Sequence, residues 1–520
     1  MEAAGMTSLW LSAATLAALL CWWLVRQSHS YWQQRGVACP LRPHPLLGHL
    51  QNLALLRESA RDLLQRVYDA GQGIPYVGMY FMHKPALMVR DPELVQRVLV
   101  SEFASFPDRH ARTGQFRDPL GHANLFLMRS PRWRVLRSKL SPAFTSGHLR
   151  RMAPIVDRCA DQLLGLLQGA VDVREIMARF TTDVISNCAF GVNSNAMGDP
   201  KSPFRAFGRK IFEFTRARGT EINGIFYTPW LSDILGFSFF QSETSKFLRN
   251  SLWQVIRGRE QSGEKRSDFV ELLIQLKNKG VISPAGEEKD GSNVEAKDKG
   301  LFDFEGDDLV AQASVFFSAG FETTGSALTF MMYELAHNPE VQERLRAEVL
   351  EALAKAPQGP LTYDTVADIR YLNMCIAETL RKYPPLPQLD RECVRTCDSL
   401  VPGLRIEKGT PIVVPVMAMH YDPELFPEPD RYDPERFAPE VVGKGPKGYL
   451  PFGDGPRICI GTRFAQMVMR LALVKIISSG VQVLPAEDTP TPPLRFNKYS
   501  FMTGTVGGIP LCFKRAPDAA

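Results

Sequence analysis

Cysteine is scarce in this chain of 520 residues and follows no regular spacing. The nine cysteines are an odd number, which argues against a disulfide framework and indicates a reducing compartment. Cys393 and Cys397 lie four residues apart, but no second pair of cysteines or histidines lies near them. A zinc site is therefore not expected there.

Dense basic stretches are missing as well. The formal net charge of +5 is small for this length, and no run of Lys and Arg alternates with aromatic residues, so nucleic acid is not an expected partner. No G-x-G-x-x-G unit stands in a βαβ setting, and no flavin-binding segment is present. Length alone suggests about three domains, but no polar linker divides the globular part.

The N-terminus carries one long apolar run. Met6 to Val25 is twenty residues without a charge, enough to span a bilayer as a helix. A cleaved signal peptide is disfavoured, because no Lys or Arg precedes the run and bulky residues occupy the cleavage region. The aromatic residues on its C-terminal side suit interfacial anchors: Trp22, Trp23, Tyr31 and Trp32. The arginines that follow predict a cytosolic C-terminal side: Arg26, Arg35 and Arg42. We predict an uncleaved anchor at residues 1–25.

The remaining chain divides into a hinge and one globular domain. Residues 26–50 contain Pro40, Pro43 and Pro45, which stiffen an extended stretch. Residues 51–520 carry mostly helical apolar spacing, with a hairpin predicted at residues 75–90 and a helix start at Asp91. Residues 279–300 are polar and predict a solvated loop. The expected fold is mainly α with a smaller β part.

The most informative stretch is PFGDGPRICIG, residues 451–461. It spaces five residues as F-x-x-G-x-R-x-C-x-G: Phe452, Gly455, Arg457, Cys459 and Gly461. A helical pattern follows, so the N–H groups and dipole of a helix start favour a thiolate at Cys459. The glycines let the backbone bend around a flat cofactor. A lone cysteine there would more often be a structural thiol, but the full frame favours a haem ligand.

This frame resembles the haem-binding signature of the cytochrome P450 family at every position. The resemblance extends over nearly the whole chain and is nearest to microsomal, xenobiotic-metabolising members of arthropod type. It implies haem b with Cys459 as the axial iron ligand. It also implies a monooxygenase, which inserts one atom of O₂ into a small lipophilic substrate with electrons from NADPH.

Two further motifs match the family's contacts to the haem propionates. Trp133 and Arg137 form W-x-x-x-R on one face of a predicted helix, although an amphipathic surface helix would give the same pattern. Arg391 matches a second position that pairs with a propionate. Arg457 is the expected carboxylate partner in the Cys459 loop.

A long apolar helix is predicted from Asp307 to Ala336. The segment from Ala319 to Thr324 is poor helix material and is expected to interrupt it. Gly320 leaves room for a diatomic ligand, Thr323 is expected to donate a hydrogen bond to dioxygen, and Glu322 to relay protons. The resemblance implies the same acid–alcohol pair, and Thr324 is expected to be buried and structural.

Glu378, Arg381 and Arg436 are expected to form the family's buried triad behind the haem loop. An E-x-x-R pair taken alone is more often a weak surface pair. The substrate cavity is predicted to be lined by Phe126, Phe316, Leu386, Leu389 and Met502. Residues 502–506 depart from the family's patterns, which puts that wall in doubt. The aromatic-rich residues 204–240 are expected to supply core, a lid and a membrane-dipping surface.

Without a flavin domain of its own, the chain is expected to receive electrons from NADPH–cytochrome P450 reductase, with cytochrome b5 as a second partner. The expected location is the endoplasmic reticulum membrane, with a single span, lipid contacts and a cytosolic catalytic domain. Two alternatives stay open: a haem-thiolate isomerase or dehydratase that needs no reductase, and a haem carrier or gas sensor.

Overall fold

The computed structural model of the protein describes residues 10, 15, 29–213, 215–283, 301–355, 361–442 and 446–515. In the first half of the chain the α-helices are Tyr31–Gln34 (α1), Gln51–Ala54 (α2), Ala60–Ala70 (α3), Pro92–Gln96 (α4), Pro119–Ala123 (α5), Arg132–Leu140 (α6), Ser146–Leu164 (α7), Val173–Phe190 (α8), Pro203–Ile211 (α9), Arg216–Tyr227 (α10), Pro229–Leu235 (α11) and Ser242–Ser262 (α12). In the second half they are Phe269–Lys279 (α13), Asp307–His337 (α14), Pro339–Lys355 (α15), Tyr363–Ala367 (α16), Arg370–Lys382 (α17), Val416–His420 (α18), Pro439–Val442 (α19) and Thr462–Ser478 (α20).

The strands are short and few beside the helices. They are Tyr76–Phe81 (β1), Lys84–Val89 (β2), Gly169–Asp172 (β3), Leu389–Glu392 (β4), Cys397–Val401 (β5), Leu404–Ile406 (β6), Pro411–Val414 (β7), Val481–Pro485 (β8) and Pro510–Arg515 (β9). The mainly α fold with a smaller β part is confirmed.

The largest sheet has the order β1-β2-β7-β4. Strands β1 and β2 form the predicted antiparallel hairpin, with Tyr76 opposite Val89. Strand β7 pairs parallel to β2 and antiparallel to β4. A second sheet has the order β3-β9-β8, and β5 pairs with β6. The helix start predicted at Asp91 is also confirmed, because its side chain accepts the backbone N–H groups of Glu93 and Leu94.

Helix α14 runs through the centre of the molecule and packs along α8. Nearly every side chain from Leu309 to Phe317 is fully buried, as its apolar composition predicts. The predicted interruption at residues 319–324 is wrong, since the helix is continuous from Asp307 to His337. The Thr323 hydroxyl donates to the Ala319 carbonyl at 2.6 Å, four residues back, and so adds to the helical hydrogen bonds without breaking them.

The expected membrane anchor at residues 1–25 lies outside the described residues, apart from Trp10 and Thr15. Within the part of the chain that the structure describes, no helix is long and apolar enough to cross a membrane. The prediction that Trp32 is an anchor at the membrane interface is wrong. Trp32 is fully buried against Gly78 of the large sheet, and its Nε1–H donates to the Met79 carbonyl at 3.0 Å.

The expected hinge is packed on the globular part from residue 29 onward. Gly48 forms a bridge to Phe81 of β1, and Arg35 pairs with Glu407 at 2.7 Å. Most of the predicted solvated loop, residues 284–300, lies outside the described residues. The eight described cysteines are all free, in agreement with the expectation of no disulfide framework.

Candidate active site

The Cys459 loop is closed by its own backbone. The Cys459 N–H donates to the Phe452 carbonyl at 2.9 Å, and α20 begins directly after the loop, with Gly461 as its N-cap residue. Gly455 has φ +69°, and a β-carbon there would lie 2.0 Å from the Leu99 carbonyl oxygen. The expectation that Gly455 serves close approach to a cofactor is therefore corrected: this glycine lets the loop pack on the Arg97–Ser101 turn.

The Cys459 thiol lies deep in the protein, yet its residue is exposed, so it faces an internal space. Burial raises the pKa of this thiol. The Gly461 N–H and the Thr462 hydroxyl act in the opposite direction, and so do the charges of Arg137 and Arg109. The N–H donor that the sequence predicted for a thiolate is present, but burial outweighs it, and the net effect of the protein is to raise the thiol pKa.

Arg457 connects the loop to helix α6. Its guanidinium lies over the Trp133 ring, 4.1 Å from the centroid, and Nη2 is 3.2 Å from Asp108 Oδ1. Nη2 also donates to the Met128 carbonyl at 2.9 Å. The structure thus brings together Arg457 and Trp133, which the sequence selected from separate motifs. Arg137, one turn along α6 from Trp133, is half-buried, and its charge acts on Cys459.

Two other buried arginines lie beside this group. Arg391 on β4 is 1% exposed, and its Nη1 donates to the neighbouring Asp390 carbonyl at 2.8 Å. Burial and the charge of Arg109 lower the Arg391 pKa to about 9. Arg109 pairs with Asp390 at 3.0 Å and lies 3.9 Å from the Phe126 ring centroid. Within the described residues, the Nε–H groups of both arginines are buried without a hydrogen-bond partner.

Cations outnumber anions in this region. The cations are Arg109, Arg129, Arg137, Arg391 and Arg457, and the carboxylates among them are Asp108, Asp390 and Glu392. His110 is buried, which lowers its pKa, so it adds no charge near neutral pH. Buried charges without partners cost several kcal/mol each. The region therefore fits a bound group with more than one negative charge.

Glu378 and Arg381 form a fully buried, two-point ion pair on α17. Arg381 Nε and Nη2 donate to the two Glu378 oxygens at 2.7 and 2.9 Å. Arg436 Nε lies 3.5 Å from Glu378 Oε1, and the Asp433 N–H donates to the same oxygen at 2.9 Å. The structure brings all three sequence-predicted residues together, in a pair too buried to resemble an exposed E-x-x-R pair.

His420 was missed by sequence reasoning. Its side chain is fully buried, with Nδ1 3.0 Å from the Arg381 carbonyl, and its Nε2 accepts the Leu450 N–H at 3.0 Å. Because Leu450 must donate to Nε2, the proton of the neutral ring lies on Nδ1. Burial lowers the His420 pKa to about 3. This histidine therefore joins the Arg381 helix to the residue two positions before Phe452.

Thr323 and Glu322 face different cavities. Thr323 lines an apolar cavity, whereas Glu322 lines a polar cavity of about 280 Å³ together with Arg174, Glu175 and Arg205. Burial raises the Glu322 pKa, and Arg174 and Arg205 act against the rise. The acid and the alcohol thus line different cavities, which share Phe212 and Glu213 as wall residues.

The role expected for Gly320 is corrected by its surroundings. A β-carbon there would lie 2.7 Å from Ile185 Cδ1 on α8. The missing side chain allows α8 and α14 to pack closely, because Ile185 occupies the position of a β-carbon. Thr324 is buried, as expected.

The apolar cavity beside Thr323 measures about 90 Å³. Of the predicted wall residues, Phe126, Leu386 and Met502 line it. Phe316 does not, because its ring packs against Phe144 and Phe269 at centroid distances of 5.3 and 5.5 Å. Leu389 contacts the Cys459 loop at Gly453 instead. The wall residues that the sequence missed include Phe212, Ile222, Phe226, Phe239, Phe501 and Val315.

The comparisons with known proteins agree with this geometry. The family profile described as Cytochrome P450 matches residues 39–508. This chain belongs to the cytochrome P450 family. It is 43% identical over 513 residues to cytochrome P450 6k1 of Blattella germanica, covering 97% of this chain and 96% of that protein. It is also 38% identical to cytochrome P450 6a2 of Drosophila melanogaster, over 96% of this chain and 98% of that protein. The expected resemblance to arthropod members is confirmed.

This P450 is a haem-thiolate monooxygenase of xenobiotic or endogenous lipophilic compounds, and members of its family work with a redox partner. The site fits the haem that the family implies. A thiol faces an internal space, and an excess of buried arginines with unpartnered N–H groups matches two propionate carboxylates. Arg109 and Arg129 were missed by the sequence, because no spacing separates them from ordinary surface arginines.

Proposed function

We propose that this P450 oxidises small lipophilic compounds held in the apolar cavity beside Thr323. The observation that carries the proposal is the position of Phe126, which lines the cavity and has Arg109 over its ring at 3.9 Å. Phe126 thus connects the apolar cavity to the cationic region around the Cys459 loop. An apolar wall with few polar groups selects ligands by size and hydrophobicity.

Cys459 would bind the haem iron, and Trp133, Arg137, Arg391 and Arg457 would contact the propionates, to which we add Arg109. Phe452, Gly455 and Gly461 shape the ligand loop, and the Glu378, Arg381 and Arg436 triad supports it. When bound, a haem with thiolate ligation supplies activation of O₂ for cleavage of its O–O bond. The support for these assignments is the unbalanced buried charge and the packing of Arg457 on Trp133.

The proposed proton path leads from the polar cavity to the neighbouring apolar cavity, and the two cavities share Phe212 and Glu213 as wall residues. Glu322 receives protons from the polar cavity, where Glu175 and Arg205 pair at 2.7 Å. Burial raises the Glu322 pKa, so the carboxyl holds a proton more readily than an exposed glutamate would. Thr323 holds a hydroxyl at the apolar cavity and donates to the Ala319 carbonyl until a better acceptor is present.

We propose NADPH–cytochrome P450 reductase as the electron donor, with cytochrome b5 as a second partner. The proposed location is the endoplasmic reticulum membrane, with residues 1–25 as anchor and the catalytic domain in the cytosol. Exposed apolar residues support a lipid contact. They include Leu46, Phe116, Ile234 and Leu235, each of which is more than half exposed.

The test is reconstitution of the full-length protein in lipid vesicles with purified reductase. We expect NADPH and O₂ consumption that rises with a lipophilic substrate and yields hydroxylated product. An isomerase or dehydratase would convert its substrate without NADPH. A haem carrier or gas sensor would bind ligands without turnover, and either result would contradict the proposal. Product analysis over a panel of lipophilic compounds identifies the substrate class.

A further inference from the structure

The apolar cavity is too small for the compounds that it is proposed to oxidise. Its volume is about 90 Å³, whereas sites for drug-sized ligands measure roughly 300–1,000 Å³. One wall must therefore move when a substrate enters. The contacts that hold the walls together decide which wall moves.

One wall is fixed to the central helix. It is the loop of residues 118–127, which contains α5 and the cavity residues Asn124 and Phe126. Gln312 of α14 is fully buried, and its Oε1 accepts the Leu125 N–H at 2.9 Å. Its Nε2 donates to the Ala123 carbonyl, also at 2.9 Å. This wall is part of the core.

The other wall is stabilised by hydrogen bonds between its own segments. Arg218 of α10 is 3% exposed, and its Nε donates to the Ile211 carbonyl at 3.0 Å. The same guanidinium donates to the carbonyls of Ser238, at 2.6 Å, and Phe239. Both Arg218 and Phe239 line the cavity. Arg218 thus joins α10 to the segment Ser238–Phe240, and the two form one unit.

Asp118 connects the two walls. It is fully buried, and its Oδ1 accepts the Gly121 N–H at 2.8 Å, which caps α5. Its Oδ2 accepts the N–H groups of Phe239 at 2.6 Å and of Phe240 at 3.3 Å. The segment Ser238–Phe240 is therefore held by a carboxylate at its N–H groups and by the Arg218 guanidinium at its carbonyls. Hydrogen bonds to a buried charged group are among the strong ones in proteins.

We infer that Asp118 is a specificity-determining residue that holds the Ser238–Phe240 segment against the fixed wall and so limits the size of compounds that enter the cavity. The inference rests on the proposal that this cavity holds the substrate. The exposed Ile234 and Leu235 lie just before the segment, so the movable wall is the one that carries the apolar surface. Tyr227, at the other end of α10, donates to Gln388 at 2.7 Å and keeps that end in place.

The test separates the helix-capping role of Asp118 from its hydrogen bonds to the N–H groups of Phe239 and Phe240. Asp118→Ser keeps an N-cap acceptor for the Gly121 N–H, since Ser and Asp cap helices about equally well, but it does not reach Phe239. Asp183→Ser is the matched control. Asp183 is 1% exposed and accepts the N–H groups of Ala196 at 2.6 Å and Met197 at 2.8 Å, and it does not line the cavity.

Two measurements on the haem-loaded, full-length proteins decide the inference. Hydrogen exchange should become faster at the Phe239 and Phe240 amides in Asp118→Ser, and at the Ala196 and Met197 amides in Asp183→Ser. Stopped-flow absorbance should show a bulky triphenylmethyl imidazole binding about tenfold faster to Asp118→Ser than to wild type, the effect of losing charge-assisted hydrogen bonds. Plain imidazole should bind at the wild-type rate in all three proteins.

Unchanged exchange at Phe239 and Phe240 would overturn the inference, and so would faster exchange without faster binding of the bulky imidazole. An equal acceleration of both imidazoles would mean a general loosening and would also overturn it. If wild type excludes the bulky imidazole and Asp118→Ser admits it, the inference is supported. If lipophilic compounds compete with neither imidazole in wild type, the substrate-cavity proposal itself fails. If Asp118→Ser does not retain haem, Asp118→Asn, which removes the charge and one acceptor, takes its place under the same criteria.

Discussion

Arg381 and His420 bind each other reciprocally, each through side chain and backbone. Arg381 Nη1 donates to the His420 carbonyl at 2.9 Å, and His420 Nδ1–H donates to the Arg381 carbonyl at 3.0 Å. The other ring nitrogen accepts the Leu450 N–H, so the buried ion pair of α17 is tied to the start of the Cys459 loop. A ring that is neutral and fixed in one tautomer therefore stands between the triad and the proposed haem ligand.

Replacing His420 by Phe should loosen the Cys459 loop. The substitution keeps a ring stacked on Tyr449 but leaves the Leu450 N–H and the Arg381 carbonyl buried without partners, at a cost of about 1–3 kcal/mol each. We expect part of the protein to lose the red-shifted carbon monoxide band of a thiolate-ligated haem. Tyr432→Phe is the control, since it removes a buried hydroxyl that donates to the backbone carbonyl of Cys375 on α17, the helix that also carries Arg381. It should lower the melting temperature and keep the band, whereas a full band in His420→Phe would contradict the positioning role.

Replacing Cys459 by Ser should remove the thiolate ligand. The absorption band of the reduced carbon monoxide complex should lose the red shift that thiolate ligation gives. Cys512→Ser, at a half-buried cysteine on β9, should leave the band unchanged. A normal band in Cys459→Ser would mean that another residue binds the iron.

Replacing Thr323 by Ala should uncouple the reaction and leave the fold intact, because alanine is the best helix former. With the cavity hydroxyl gone, NADPH consumption should continue with more hydrogen peroxide and less hydroxylated product. A rise of about 1.4 kcal/mol in the barrier corresponds to a tenfold slower product rate. Ser314→Ala is a close control, since the Ser314 hydroxyl also donates to the carbonyl four residues back, that of Val310 at 2.7 Å, but lines neither the apolar nor the polar cavity. Equal coupling in wild type and Thr323→Ala would refute this role.

Replacing Arg391 by Met should weaken haem retention. Arg391 is buried beside Arg109 with an unpartnered N–H, and a propionate would supply the missing anion. Loss of a charged hydrogen bond worth about 1.5–3 kcal/mol predicts haem release faster by about tenfold or more. Transfer of haem to excess apomyoglobin measures this rate. Arg346→Met removes bonds to the Ile477 and Val481 carbonyls and should lower the melting temperature alone. Unchanged release from Arg391→Met would remove this residue from the haem contacts.

Two carboxyl groups in the polar cavity should respond to pH with opposite signs. Burial raises the Glu322 pKa, so the folded protein binds that proton more tightly and loses stability as the pH rises from the ordinary value of 4.5 through the folded pKa. Burial acts the same way on Glu175, but Arg205 and Arg179 outweigh it and lower its pKa. The stability that Glu175 contributes is present above 4.5 and is lost as the pH falls through the folded pKa.

Melting temperatures from about pH 3 to about pH 8 test both signs. The difference between Glu322→Gln and wild type should grow more positive as the pH rises. The difference between Glu175→Gln and wild type should grow more negative. Parallel curves for the two variants would show that their environments are not opposed.

The sequence alone determined the fold class, the hairpin at residues 75–90, the central helix and the Cys459 loop with its following helix. These features depend on neighbours in the chain, on apolar periodicity and on a motif whose residues lie within one short stretch. The Glu378–Arg381 spacing predicted a pair for the same reason. The sequence predicted a break in the central helix where there is none, because it could not show that Ile185 fills the space beside Gly320.

Only the tertiary structure decided which side chains share a site. Arg109 and Arg391 are 282 positions apart, and nothing in either local sequence distinguishes a buried guanidinium from a solvated one. Phe316 and Thr323 lie on one apolar helix, yet one packs into the core and the other lines the cavity. Asp118 caps helix α5 through a local hydrogen bond to the Gly121 N–H. Its hydrogen bond to the Phe239 N–H forms only because two loops that are distant in sequence lie side by side. Burial and charge balance arise when remote segments meet, so local spacing does not encode them.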